Sequence, residues 1–205
     1  MDKFLQQLSI MRGFLNGRKF FLAAEALQYA YELHNGFRKD GTTPEFSHQI
    51  EIGFYLLTLS SDLIYPEETL AAVFLHDVIE DFDIPCFELE KKFGRQLSDA
   101  CWCLAKKTPR LKKPIETYFK EMVSDPIASV VKGADRIHNY GTMFGVFTIE
   151  KQKKYIEEGE LFFIPMLKKA RKQFPKQEPI YRNEIMFLKS QINMIKNIHF
   201  AMANK

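Results

Sequence analysis

No stretch of this chain carries 18 consecutive apolar residues, so nothing in it reads as a helix that crosses a bilayer. The opening segment MDKFLQQLSIMRGF lacks both an uninterrupted apolar core and a small-residue cleavage site, which argues against an export signal. Three cysteines are too few, and odd in number, for a disulfide framework. Cys101 and Cys103 flank Trp102 and point to different sides of a helix, as ordinary thiols of a reducing compartment would. These absences place the protein in the cytoplasm. Glycine (10) and proline (9) are sparse, and no segment is low-complexity or repeated, which excludes disordered and solenoid classes. A net charge of +3 is too weak to suggest a nucleic-acid surface, while a small anionic ligand remains compatible with it.

What remains is globular usage, 46% hydrophobic and 27% charged, over 205 residues: enough for one substantial core, read as a single domain. The 19 phenylalanines fall at helical spacing and read as core. FFLAAEALQYAYELHNG repeats its apolar positions with a helical period and stops at Gly36. PEETLAAVFLHDVIED opens with Pro66 and two glutamates, the chemistry of a first turn, and predicts one helix over 66–81. PCFELEKKFG and QLSDACWCLAKK predict a helix pair punctuated at Gly94; SDPIASVVKGADRIHN predicts a capped helix with Pro126 in its first turn. Amphipathic segments at 149–172 and 178–202 complete the pattern. No run alternates apolar and polar residues, so the fold class is all-α. The stretches without helical pattern, 37–47 and 107–114, are rich in turn formers and cations, and such loops hold binding groups.

Within AAVFLHDVIED, five apolar residues run straight into a histidine and three carboxylates. On a helix His76, Asp77, Glu80 and Asp81 share an arc of roughly 140°. The turn before them is apolar all round, the mark of a helix enclosed by others, so the polar arc faces an interior cleft. Buried carboxylates require a cation opposite them. A metal ion meets that need, with His76 and Asp77 as ligands; the alternative is a salt-bridged polar face. In VVKGADRIHN, Asp135 and Asn139 share a helix face, Gly133 and Ala134 admit a second helix closely, and Asp135 can complete a metal shell. His138 is a minor competitor for the metal, since a histidine beside an arginine is more often packed or solvated. His48 begins a helix directly after the cationic loop.

The order of RKDGTTPEFSH, LHDVIED and GADRIHN resembles the HD-domain metal-dependent phosphohydrolases, and within them the hydrolase domain of the RelA/SpoT homologue family. The likeness covers about 23–167, because KQKKYIEEGELFFIPML also looks like the family's following helix; helices over 178–202 would pack on that core. The resemblance implies a helical bundle whose His48, His76, Asp77 and Asp135 bind one divalent ion per chain, usually manganese. It implies that Glu80 and Asp81 act on the attacking water, without deciding which is the base. It implies that Arg38, Lys39, Asn139 and Thr142 contact the nucleotide. The 38–48 loop is one residue longer than the family pattern, PEFSHQ replaces its usual motif, and Gly141 stands where an arginine is common; every ligand is kept, and the base pocket differs.

The activity expected on this basis is that of a small alarmone hydrolase of the stringent response, without synthetase or regulatory domains. It would remove the 3′-pyrophosphate of guanosine tetra- or pentaphosphate, or of an adenosine analogue, to give GDP or GTP and pyrophosphate. Arg38 can stack on a purine as well as pair with phosphate. Lys107, Arg110, Lys112 and Lys132 are further cations for the substrate. The alternatives are an HD phosphatase of a nucleotide monoester or of NADPH, an alarmone binder without turnover, and a purely structural helical protein.

Overall fold

A computed structural model describes residues 3–203. Among these the chain forms twelve α-helices and no strand, with isolated bridges joining Phe37 to Pro44 and Lys107 to Lys112. The all-α expectation holds.

The centre of the molecule is α4 (Pro66–Leu75), whose residues from Thr69 onward are all buried. Proline in its first turn and Glu67 and Glu68 beside it suit a helix start. α2 (Phe21–Leu33), α3 (Ser47–Thr58), α7 (Arg95–Leu104) and α9 (Pro126–Thr142) pack around α4, which explains why its sequence shows no polar face. α1 (Lys3–Gly17) lies on α2 and α3 through Phe4, Leu8, Met11 and Leu15, spaced for one helical stripe. α6 (Cys86–Phe93) and α7 pair about Gly94, whose φ of 85° is the left-handed region open to glycine. α8 (Ile115–Val123) packs on α9 and α11, and with α1 it adds to the helices legible in the sequence.

α9 begins as its sequence predicts: the Asp125 carboxylate accepts from the amides of Ile127 and Ala128 at 2.8 and 2.7 Å, with Pro126 next. α12 (Glu178–Ala203) runs along α9 and α11 (Ile164–Gln173). Gly133 makes that approach possible, because a Cβ there would collide with the Glu184 carboxylate and Leu167.

Two predicted helices are interrupted. The 66–81 segment breaks at His76 and Asp77 and resumes as α5 (Val78–Phe82). His76 Nδ1 sits 2.8 Å from the Val73 carbonyl, taking the acceptor that would continue the α4 ladder. The 149–172 segment is α10 (Ile149–Glu158), a π-helical turn (Gly159–Phe163) and α11. Pro165 has no N–H to donate to the preceding turn, and the extra residue of the π turn absorbs that loss. All three cysteines are free thiols. No described helix is long and apolar enough to cross a membrane.

Candidate metal centre and cavity

Three chain segments converge where α3, the α4–α5 break and α9 meet. His48 projects from the first turn of α3, His76 and Asp77 occupy the break, and Asp135 lies midway along α9. One donor atom each from His48, His76 and Asp77 lie within 4.8 Å of one another. Donors at roughly 2.0–2.6 Å around one cation stand up to about 5.2 Å apart, so the cluster has the size of a single-ion site. Asp135 Oδ1 is 3.1 Å from His48 Nε2 and 4.0 Å from His76 Nε2, adding a fourth donor. The four ligands expected from the sequence are therefore together.

The neutral His76 imidazole is also set in the required tautomer. His76 donates its Nδ1 proton to Val73, leaving the Nε2 lone pair turned inward. That Nε2 is buried with no hydrogen bond; Asp77 Oδ2 lies 3.0 Å away outside bonding geometry. An orphaned buried nitrogen facing two carboxylates is what a cation site looks like from its protein side. The residues present fit a divalent ion bound by nitrogen and oxygen.

Electrostatics follow from burial. It pulls the His76 pKa down, but the Asp77 and Asp135 charges outweigh it and lift the group to about 9. Burial dominates at His48, pushing it to about 4 against the pull of Asp135. Burial opposes ionisation of Asp77 and Asp135 as well, yet His76 holds the first low and Lys132 holds the second far below the carboxylate range. Lys132 Nζ is 3.0 Å from Asp135 Oδ2 and stays charged for the same reason. Asn139 Nδ2 donates to Asp135 Oδ1 at 2.6 Å, fixing the carboxylate's rotation.

The cluster opens into a cavity of about 610 Å³, the size of a small-molecule site. Arg38, Lys39, Glu80, Asn139 and Thr142 all line it, together with Asp77, His48 and Asp135. Asp81 is not among the lining residues; burial and the Asp77 charge raise its pKa. Both acids lie on α5, after the break at His76 and Asp77, so the arc expected for one unbroken helix from His76 to Asp81 is not formed. Glu80 turns toward the 107–114 loop, its Oε1 accepting from the amides of Lys106 and Lys107 at 3.1 and 3.0 Å. Of the other cations named from sequence, Lys132 lines the cavity, whereas Lys107, Arg110 and Lys112 are not among its lining residues.

The far wall was not legible in the sequence. The Lys39 ammonium lies 5.3 Å from the centre of the Phe147 ring; Lys151, which is not among the lining residues, lies 3.5 Å from the same ring, and burial and Lys39 press its pKa down to about 8. The Arg136 guanidinium is sandwiched 4.0 Å from Phe163 and 4.3 Å from Tyr155, with Nη2 on Glu158 at 2.9 Å. The π turn brings Phe163 there, and Gly159 lets Tyr140 approach its backbone. Only the cation and aromatic content of YFKEMV and KQKKY hinted at these walls.

Fold and donor set define an all-α protein with a two-histidine, acidic centre suited to a divalent cation. The HD domain family model matches residues 26–170, and the chain belongs to that family. A probable guanosine-3′,5′-bis(diphosphate) 3′-pyrophosphohydrolase of Synechocystis is 31% identical over 153 residues, 71% of this chain and 20% of that one. The guanosine-3′,5′-bis(diphosphate) 3′-pyrophosphohydrolase of Aquifex aeolicus is 29% identical over 152 residues, 70% and 21% of the two chains. This chain thus spans about a fifth of the length of these relatives. A solved structure of a metazoan ortholog of SpoT, described as hydrolyzing ppGpp, superposes with a TM-score of 0.59 at 23% identity, over 87% of this chain and 95% of that one. That likeness extends the shared fold beyond the span of the family model, into α12 or α1.

Proposed function

We propose that the chain is a manganese-dependent hydrolase of the 3′-pyrophosphate of guanosine tetra- and pentaphosphate, acting in the cytoplasm as one catalytic unit with α12 packed on its core. The observation that carries this reading is the opening of the His48, His76, Asp77 and Asp135 cluster onto a cavity lined by Arg38, Lys39 and Lys106. A cluster of donors alone would suit many metalloproteins; joined to a cationic wall it suits a polyphosphate ester. The names of the Synechocystis and Aquifex relatives support the same substrate.

A divalent ion in this centre supplies positive charge against the phosphates and acidifies water. The protein's own groups do the rest. Arg38 offers a planar guanidinium for the purine, and Lys39 offers charge to phosphate oxygens beside the Phe147 ring. Glu80 has one oxygen held by two backbone amides, which leaves the other to take a proton from the attacking water. Water adds to the phosphorus joined to the ribose 3′ oxygen, and that P–O bond breaks. Pyrophosphate leaves with the water's oxygen, and the ribose oxygen ends as a hydroxyl in GDP or GTP. Lys132 keeps Asp135 ionised throughout, and Asn139 keeps it oriented.

The test is product identity. Chain stripped of metal and resupplied with manganese should convert ppGpp to GDP and pyrophosphate by ion-exchange chromatography. Release of orthophosphate from ppGpp or NADPH in its place overturns the reading, and an adenosine 3′-pyrophosphate run alongside reports base preference.

A further inference from the structure

His138 is not a ligand, yet it is held too closely to be an idle surface histidine. Its Nδ1 lies 2.8 Å from His48 Nδ1, and its Nε2 lies 2.7 Å from Glu51 Oε2. Glu51 is one helical turn beyond His48 on α3, and His138 reaches between them from α9. The three groups form a continuous chain from a half-exposed carboxylate to a buried metal-facing imidazole.

Proton counting makes the chain directional. A carboxylate only accepts, so Glu51 requires a proton on His138 Nε2. Neutral His138 then presents a lone pair at Nδ1. His48 must meet it with Nδ1–H, and its own lone pair falls on Nε2, the nitrogen that faces Asp135 and the donor cluster. The opposite neutral arrangement sets the His138 Nε2 lone pair against a carboxylate oxygen at 2.7 Å and is repelled. Val73 performs the same service for His76 with a single carbonyl. At His48 the task needs a second imidazole and an acid.

From this geometry we infer that His138 and Glu51 are positioning residues that fix the tautomer of His48, delivering its Nε2 lone pair to the cation. The inference rests on the metal-centre reading above and adds to it two residues outside the ligand set. Partners of this kind that hold a ligating histidine alter metal affinity by about 10–100-fold when removed.

The experiment compares Mn²⁺ affinity by calorimetry on chelator-stripped full chain for wild type, Glu51→Gln, and His138→Phe, with thermal unfolding as a fold control. In parallel, long-range proton–nitrogen spectra of histidine-labelled protein read the tautomer of His48 directly. Glu51→Gln is expected to weaken Mn²⁺ binding about 10–100-fold and to scramble the His48 tautomer while the fold persists. Unchanged affinity and an unchanged His48 signature in both variants overturn the inference. Should His138→Phe fail to fold, the isosteric Glu51→Gln decides alone. A wild-type chain that takes up no divalent ion overturns both the relay and the centre. Weakened binding in the variants with no ppGpp turnover in any protein supports the relay and overturns the substrate alone.

Discussion

Lys132 and Asp135 meet at 3.0 Å, one turn apart on α9 and nearly sealed from water. Each holds the other charged where burial would neutralise it, so the pair is a fixed element of the centre rather than a surface bridge. Removing the cation alone leaves a buried carboxylate among acids. Lys132→Met should therefore destabilise the chain by about 3–5 kcal/mol in chelator, with part of the loss recovered on adding Mn²⁺. Urea unfolding with and without the metal measures both numbers; equal stability to wild type in chelator would contradict the assignment.

Asp77 sits in the helix break and is the acid of the three-residue donor cluster. Asp77→Ala is expected to lower turnover of ppGpp by at least about a thousandfold and to lose tightly bound metal, while far-ultraviolet circular dichroism stays that of wild type. Metal content by mass spectrometry and product release are the two readings. Undiminished turnover would remove the centre from the mechanism.

His76 carries a proton up to about pH 9, lifted there by Asp77 and Asp135 against burial. Proton and cation compete for one lone pair, so metal binding releases protons below that pH, and apparent affinity rises as pH rises toward 9. Calorimetry in two buffers of different ionisation enthalpy should show net proton release at pH 7.5. An observed enthalpy independent of buffer would refute the competition.

Glu184, fully buried on α12 with neither oxygen hydrogen-bonded, has its pKa raised well above the ordinary carboxyl value by burial alone. Its stabilising contribution is whole below the unfolded value near 4.5 and is lost as pH climbs through the raised folded value. Wild type should thus lose stability between about pH 5 and 8 relative to Glu184→Leu, by up to about 1.4 kcal/mol per pH unit. Gly133→Ala, which drives a methyl into this carboxylate, is expected to cost about 1–3 kcal/mol, and less in the Glu184→Ala background. Denaturant titrations at three pH values test both.

Lys39, which lines the cavity, shares the Phe147 ring with Lys151, whose pKa burial and the Lys39 charge lower, so an arriving phosphate relieves a repulsion already present. Lys39→Ala is expected to raise KM for ppGpp about tenfold, about 1.4 kcal/mol, with little change in kcat. Steady-state kinetics at saturating manganese separate the two constants.

Most of the helices and the four candidate donors were legible because both leave local marks. Apolar spacing in 21–33, the cap at Asp125 and the proline at 66 act within one or two turns, and a histidine followed by acids at the end of an all-apolar run signals buried polarity. The breaks at His76 and at the π turn were not, because each depends on which acceptor a side chain or a missing proline N–H leaves to its neighbours. The contact of His138 with His48 was not legible for the same reason, since 90 residues separate them.

By itself the sequence determined an all-α chain of the HD class and the residue types able to hold a cation. Only the tertiary structure decided that Glu80 lines the cavity while Asp81 does not, that Lys151 and Phe147 face Lys39, and that Glu51 reaches His48 through His138. The reason is range. Periodicity and caps act along a few residues of chain, whereas lone-pair direction, desolvation and charge pairing depend on groups that meet only when separate helices pack.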